Sequence, residues 1–265
     1  MTCVCYISQT VFLTAVMKGN MLILAPLCLL LLWMLPVDSM GVSGIKGISL
    51  NMAEDSVDDM YFGCSEAMME KVMNHEIVRI TSQQFASDMQ RENVALTREH
   101  QEAICNYTSN TIYKKFNDAV RNDGKNYPSS FQFNTLHFLL TSAIQILNNN
   151  NTCYTAYRRT KDRFEGHVNN VIRFGSFASS SLNTTQGLFG HETCFEIKTC
   201  SGAYLKPYSC IPSEEEVLIP PYEIFKITKK VMGKNKIEGL HDCKRVYILE
   251  TAGIKSTLNC KAVRR

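Results

Sequence analysis

Four consecutive asparagines, Asn148 to Asn151, divide this chain into two textures, and that division constrains the fold more than any other feature. Ahead of the break, from Glu66 to Leu147, the apolar pattern is helical. It is clearest where Phe133, Leu136, Leu139, Leu140, Ala143 and Leu147 recur at spacings of three and four, which predicts a buried amphipathic helix. Thr81-Ser82 are placed to cap a helix running towards Ile104, Phe116, Ala119 and Val120 mark another ending near Gly124, and Pro128 with its serines turns the chain into the buried helix. Beyond the asparagines the segments are short, rich in β-branched and aromatic residues, and bounded by turn formers. Candidate strands are Thr152 to Arg158, Ile172 to Ser180, Thr193 to Thr199, Ala203 to Ser209, Glu216 to Ile219, Tyr222 to Lys229 and Arg245 to Glu250. Helices followed by strands imply an α+β fold, with an N-terminal helical portion packed to one side of a mainly antiparallel sheet.

The 265 residues, 45% of them hydrophobic, suffice for one main domain with a real core. Residues 1–40 read differently: Lys18 precedes an apolar run from Met21 to Leu35 that breaks at Pro36, the pattern of a secretory signal cleaved near Val37 to Ser43, with Met17 or Met21 as alternative initiators. At about fifteen residues the run is shorter than a membrane span requires. The remaining chain, 41–265, is read as a single domain. It keeps eight cysteines, Cys64, Cys105, Cys153, Cys194, Cys200, Cys210, Cys243 and Cys260. An even number in an exported chain, with no CxxC pair and scattered histidines, favours disulfides over a metal site. Sequons at Asn106, Asn150 and Asn183 agree with export. The end at Arg264-Arg265 lacks the hydrophobic tail of a lipid-anchor signal, so the mature protein is expected to be secreted and soluble, without a membrane anchor. A net charge of +3 is mild. The cluster Lys226, Lys229, Lys230, Lys234 and Lys236 lacks interleaved aromatics and reads as a solvated hairpin, so no nucleic-acid partner is implied.

Three motifs carry chemistry: Tyr157-Arg158-Arg159-Thr160, Phe177-Ala178-Ser179-Ser180-Ser181-Leu182, and Glu214-Glu215-Glu216 followed by Val217-Leu218-Ile219-Pro220-Pro221. An arginine can clamp a pyrophosphate bidentately, a serine on a strand can orient a neighbouring carboxylate, and a glutamate can hold a ribose hydroxyl while positive charge builds on the adjacent carbon. Each motif alone has an ordinary explanation: a surface arginine pair, strand filler, a solvated acidic turn. In an extended segment Glu214 and Glu216 would face one side and Glu215 the other. The ordered set points to an enzyme that breaks the nicotinamide–ribose bond of NAD.

The chain resembles the secreted and cell-surface mono-ADP-ribosyltransferases that modify arginine, whose signature is an Arg, a Ser-x-Ser strand and Glu-x-Glu. Besides the three motifs, the resemblance covers Asp58 to Cys64, Ala103-Ile104 with Tyr107-Thr108, Phe116 to Arg121, Leu136 to Thr141 and Ile172 to Phe177. It implies an NAD cleft and transfer of ADP-ribose from NAD, or NADP, to arginine side chains of extracellular or membrane proteins, with no metal. By the same resemblance Arg158 takes the NAD diphosphate, Ser179 opens the Ser-x-Ser strand, Glu216 is the catalytic carboxylate and Glu214 directs the acceptor. Tyr157 and Phe195 join Arg158, Ser179 and Glu216 as NAD-contacting candidates, Phe195 alternatively being core. Tyr208 is a candidate to stack on the incoming guanidinium, with a half-buried strand aromatic as the other explanation. Many relatives carry glycine where Arg159 stands, a departure that bears on how closely the NAD backbone approaches. The resemblance further implies disulfides Cys64–Cys260 and Cys153–Cys200; Cys105, Cys194, Cys210 and Cys243 fall outside it, with Cys210–Cys243 a candidate pair. An NAD glycohydrolase and a secreted, inactive binding protein of the same fold are the alternatives.

Overall fold

The computed structural model describes residues 47–74, 96–109, 112–184, 187–205, 207–233 and 237–264, all within one compact unit spanning Ile45–Arg265. The signal segment, the Thr81-Ser82 cap, Lys234 and Lys236 lie outside the described residues. Among the described residues four helices precede the main sheet: α1 (Ser65–Met73), α2 (Arg98–Thr108), α3 (Tyr113–Asn122) and α4 (Asn134–Leu147). α2 starts where its own chemistry allows, at Thr97, whose backbone N–H donates to the His100 ring at 3.1 Å, and Arg98 pairs with Glu102 one turn on at 2.8 Å. α4 is buried from His137 through Ile144, not merely along one stripe. It runs through the middle of the helical cluster, which explains why His137 sits inside it.

The strands are β1 (Ile48–Ser49), β2 (Tyr154–Thr160), β3 (Phe164–Glu165), β4 (Val171–Ile172), β5 (Ala178–Ser181), β6 (Thr193–Thr199), β7 (Ala203–Tyr204), β8 (Glu216–Ile219), β9 (Glu223–Met232) and β10 (Arg245–Ile254). Eight of them form one sheet in the order β4-β9-β10-β6-β2-β5-β8-β7, in which only β10–β6 is parallel. The expected strand Ile172 to Ser180 is two strands, because the chain turns at Gly175 in a positive-φ conformation where an added Cβ would lie 2.4 Å from Ala53. The expected Ala203 to Ser209 strand ends at Tyr204.

The helices pack through Tyr107, Phe116, Phe138 and Leu140 onto Phe177, Leu205 and Leu218 of the sheet side, and a second apolar layer of Ile172, Phe195, Phe225 and Tyr247 fills the region beyond. Two buried polar clusters tie the chain ends to this body. Arg173 and Asp58, both side chains fully buried, meet at 2.6 Å, and Arg173 also donates to the carbonyls of Met52, Ala53 and Lys255. His137 donates from Nε2 to the Val57 carbonyl (2.9 Å) and accepts the Tyr61 hydroxyl at Nδ1 (3.0 Å); burial pushes its pKa down to about 4, so it stays neutral. Among the described residues four disulfides are formed: Cys64–Cys260, Cys153–Cys200, Cys105–Cys210 and Cys194–Cys243. The Cys210–Cys243 candidate is thereby corrected: Cys210 lies against the end of α2, and Cys243 against β6.

Candidate active site

Strands β2, β5 and β8 bring the three motifs into one cavity of about 390 Å³. It is lined by Arg158, Ser179, Glu214 and Glu216, with Tyr157 at its edge and Tyr107, Tyr113 and Phe189 supplying aromatic wall. Register makes this meeting obligatory. β5 pairs antiparallel with β8 so that Ser181 lies opposite Glu216 and Ser179 opposite Leu218, while Tyr157 of β2 lies opposite Ser181. Neighbouring strands sit about 4.8 Å apart, so side chains on facing positions are within reach of one another.

Glu216 opens β8 and is only 3% exposed. Burial raises its pKa to about 7, the charge of Glu214 adds to the rise, and the Ser179 hydroxyl and Arg158 guanidinium oppose it. Ser179 is itself fixed. Its hydroxyl lies 3.3 Å from that of Tyr107, which donates to the Phe177 carbonyl at 3.2 Å and accepts from Asn117 Nδ2 at 3.1 Å. Arg158 donates to the Ser179 carbonyl (2.6 Å) and to the Tyr113 hydroxyl (3.4 Å), and the guanidinium lowers the Tyr113 pKa. A second cavity of about 670 Å³ opens on the far side of Arg158, bordered by Asn51, Arg121, Phe174 and Ser176, with Arg121 bonded to the Ser176 hydroxyl at 2.8 Å.

Glu214 and Glu216 reach the same cavity, but not by strand alternation. Glu214 closes a 3₁₀ turn (Pro212–Glu214), and Glu215 adopts a left-handed conformation at φ 46°, ψ 48° before the strand begins. The Ser181 hydroxyl holds the Glu214 carbonyl at 2.6 Å. Burial raises the Glu214 pKa as well. The loop ahead of it is anchored to α2 twice, by Cys105–Cys210 and by a bond from the Cys210 N–H to the Thr108 hydroxyl at 3.0 Å.

Two candidates fall elsewhere. Phe195 is fully buried in the second apolar layer, stacked on Tyr247 at 5.7 Å and edge-on to Phe164 and Phe174, so it does not line the cavity. Tyr208 is 4% exposed and belongs to the helix-side core, so its ring face is closed to a guanidinium. Both aromatics follow the rule that large apolar rings near a sheet bury unless a polar partner holds them out. Sequence reasoning gave no role to Tyr107, Asn117 and Arg121, although they sit within the stretches that carry the resemblance. The signal for Asn117 was position: it falls on the buried face of its helix with Phe116 and Val120, whereas Lys114, Lys115 and Asp118 face solvent.

The family model for NAD:arginine ADP-ribosyltransferases matches residues 50–245. This chain belongs to that family. Among its relatives, ecto-ADP-ribosyltransferase 5 of Bos taurus is 37% identical over 216 residues, 71% of this chain and 68% of that protein. The GPI-linked NAD(P)(+)–arginine ADP-ribosyltransferase 1 of Homo sapiens is 36% identical over 252 residues, 82% of this chain and 75% of that protein. Among solved structures, the eukaryotic mono-ADP-ribosyltransferase ART2.2 in complex with NADH superimposes with a TM-score of 0.65 at 32% identity, covering 80% of this chain and 98% of that one. The α+β family fold, with its helices ahead of a mainly antiparallel sheet, is therefore the one expected from the change of texture at Asn148.

Proposed function

We propose that the protein transfers ADP-ribose from NAD to arginine side chains of extracellular or membrane proteins and releases nicotinamide. The observation that carries this reading is a buried carboxylate, Glu216, sharing one cavity with Ser179, the Arg158 guanidinium and a second carboxylate, Glu214. These residues fit the co-substrate chemically. Arg158 offers a planar fork of donors for a diphosphate, Tyr113 and Phe189 offer flat apolar faces, and Glu216 can accept a ribose hydroxyl.

The chemistry then divides among the side chains. Glu216 strengthens its bond to the ribose hydroxyl as positive charge develops on the neighbouring carbon, so it stabilises the transition state more than the ground state. The bond from that carbon to the nicotinamide nitrogen breaks with its electron pair going to the ring, which neutralises the ring's charge. A guanidinium nitrogen of the acceptor forms the new bond and gives up a proton. Glu214, whose burial raises its proton affinity, takes that proton and orients the acceptor. Export belongs to the same reading.

The test is to express residues 41–265 in an oxidising host and supply labelled NAD with agmatine as arginine mimic. ADP-ribosyl-agmatine should form, Glu216→Gln should abolish both its formation and NAD hydrolysis, and Glu214→Gln should lose transfer while retaining some hydrolysis. Free ADP-ribose without adduct would establish a glycohydrolase instead, and equal loss of both activities in Glu214→Gln would remove its acceptor role.

A further inference from the structure

Consecutive residues of a strand face opposite ways, and β2 uses this to separate two arginines. Arg158 faces the cavity. Arg159 also borders the cavity, but its side chain, 4% exposed, runs along the opposite face of the strand and its guanidinium bonds only to loop residues. Nε donates to the Thr184 carbonyl at 3.0 Å, Nη2 to the Gly239 carbonyl at 2.6 Å, and Nη1 and Nη2 grip the two oxygens of Asp242 at 3.0 Å each. The Asp242 carboxylate also bonds His191 Nδ1 at 2.8 Å, and its pKa is lowered first by the Arg159 bonds.

Thr184 and His191 flank the segment that carries the 3₁₀ turn Gly187–Phe189, and Phe189 of that turn lines the active-site cavity. One buried guanidinium thus holds both sides of the turn, directly at Thr184 and through Asp242 at His191. The surroundings reinforce the grip. The Lys244 N–H donates to the His191 carbonyl at 2.8 Å, the Glu192 N–H to the Thr160 carbonyl at 3.1 Å, and Cys194–Cys243 joins the strand after the turn to the residue after Asp242. At Gly190 an added Cβ would lie 2.6 Å from the Lys161 nitrogen, so the turn is packed hard against the end of β2. Arginine suits this post because its planar fork reaches four acceptors at once, which a lysine ammonium cannot do.

We propose that Arg159 is a positioning residue, which through Thr184 and Asp242 fixes the turn that presents Phe189 to the active-site cavity. The inference rests on the reading of that cavity as the NAD site, and its test separates the two. Hydrogen exchange on the oxidised protein, comparing wild type with Arg159→Met and with Asp242→Asn, should show the Gly190 and Glu192 amides exchanging about ten-fold faster in both variants, with the β2–β6 ladder unchanged. Asp242 is half-exposed, so its variant folds even where Arg159→Met does not. In the agmatine assay the same variants should raise the KM for NAD about ten-fold with kcat changed little, the loss expected when one charge-assisted anchor is removed from a binding wall.

Phe189→Ala combined with Arg159→Met should be no worse than either alone, because both act through one ring. Unchanged exchange in a folded variant would overturn the proposal. So would full additivity with Phe189→Ala, since a merely structural arginine would weaken the protein without acting through that ring. If the wild type consumes no NAD, the functional reading fails and the exchange data alone decide whether the clamp exists.

Discussion

Replacing Glu216 with Gln should inactivate the protein and yet stabilise it, by an amount that depends on pH. Burial raises the Glu216 pKa from 4.5 to about 7. The sign follows from linkage. Between those values the folded state holds a proton that the unfolded state has released, so stability falls as pH rises, and the cost is complete above pH 7 and absent below 4.5. A gap of about 2.5 units corresponds to about 3 kcal/mol. An amide of the same shape carries no such cost. In a domain of this size that is a rise in Tm of roughly 6 to 12 °C for Glu216→Gln at pH 8, shrinking to almost nothing at pH 4.5. Thermal unfolding of wild type and variant across that range, under oxidising conditions, measures it directly. A difference in Tm that did not change with pH, or a variant less stable than wild type at pH 8, would refute the claim that Glu216 is held as a desolvated carboxylate.

Two further outcomes follow from the same buried groups. Because an ionised Glu216 is needed to hold the ribose hydroxyl, kcat/KM for transfer to agmatine should fall about ten-fold per pH unit below about 7, and a profile flat from pH 5 to 8 would contradict that role. Asp58→Asn leaves the fully buried Arg173 guanidinium only the exposed Glu54 carboxylate, 4.0 Å away, as charge partner and should cost about 3 to 5 kcal/mol in chemical denaturation at an unchanged m-value; a loss below about 1 kcal/mol would show that Glu54 and the carbonyls of Met52, Ala53 and Lys255 satisfy Arg173 without it.

Local pattern was legible where one physical cause dominated. The limits of Thr193–Thr199 and Glu216–Ile219 agree with the strands expected, because in both the β-branched and aromatic run is bounded abruptly by turn residues. Boundaries failed where packing overrode pattern: Gly175 breaks one run by pressing on Ala53, and β9 and β10 extend to Met232 and Ile254 as a hairpin whose pairing carries them past their apolar cores. The disulfides divide in the same way. Cys64–Cys260 and Cys153–Cys200 were expected from resemblance and are formed, whereas the partners of Cys210 and Cys243 depended on which helix and which strand lay beside them.

The sequence by itself determined the kinds of group available: a guanidinium, a serine strand and paired carboxylates, in an order and with flanking residues that define a family. Their chemistry is intrinsic to the side chains. Only tertiary structure decided which groups meet. It placed Phe195 and Tyr208 in the core, brought Tyr107 and Tyr113 from separate helices onto Ser179 and Arg158, and turned Arg159 away from its neighbour towards Asp242. It also set the Glu214–Glu216 relation through a left-handed Glu215 in place of an extended strand. Burial, long-range pairing and the proton affinity of Glu216 depend on neighbours brought together from distant parts of the chain, so no local pattern could have supplied them.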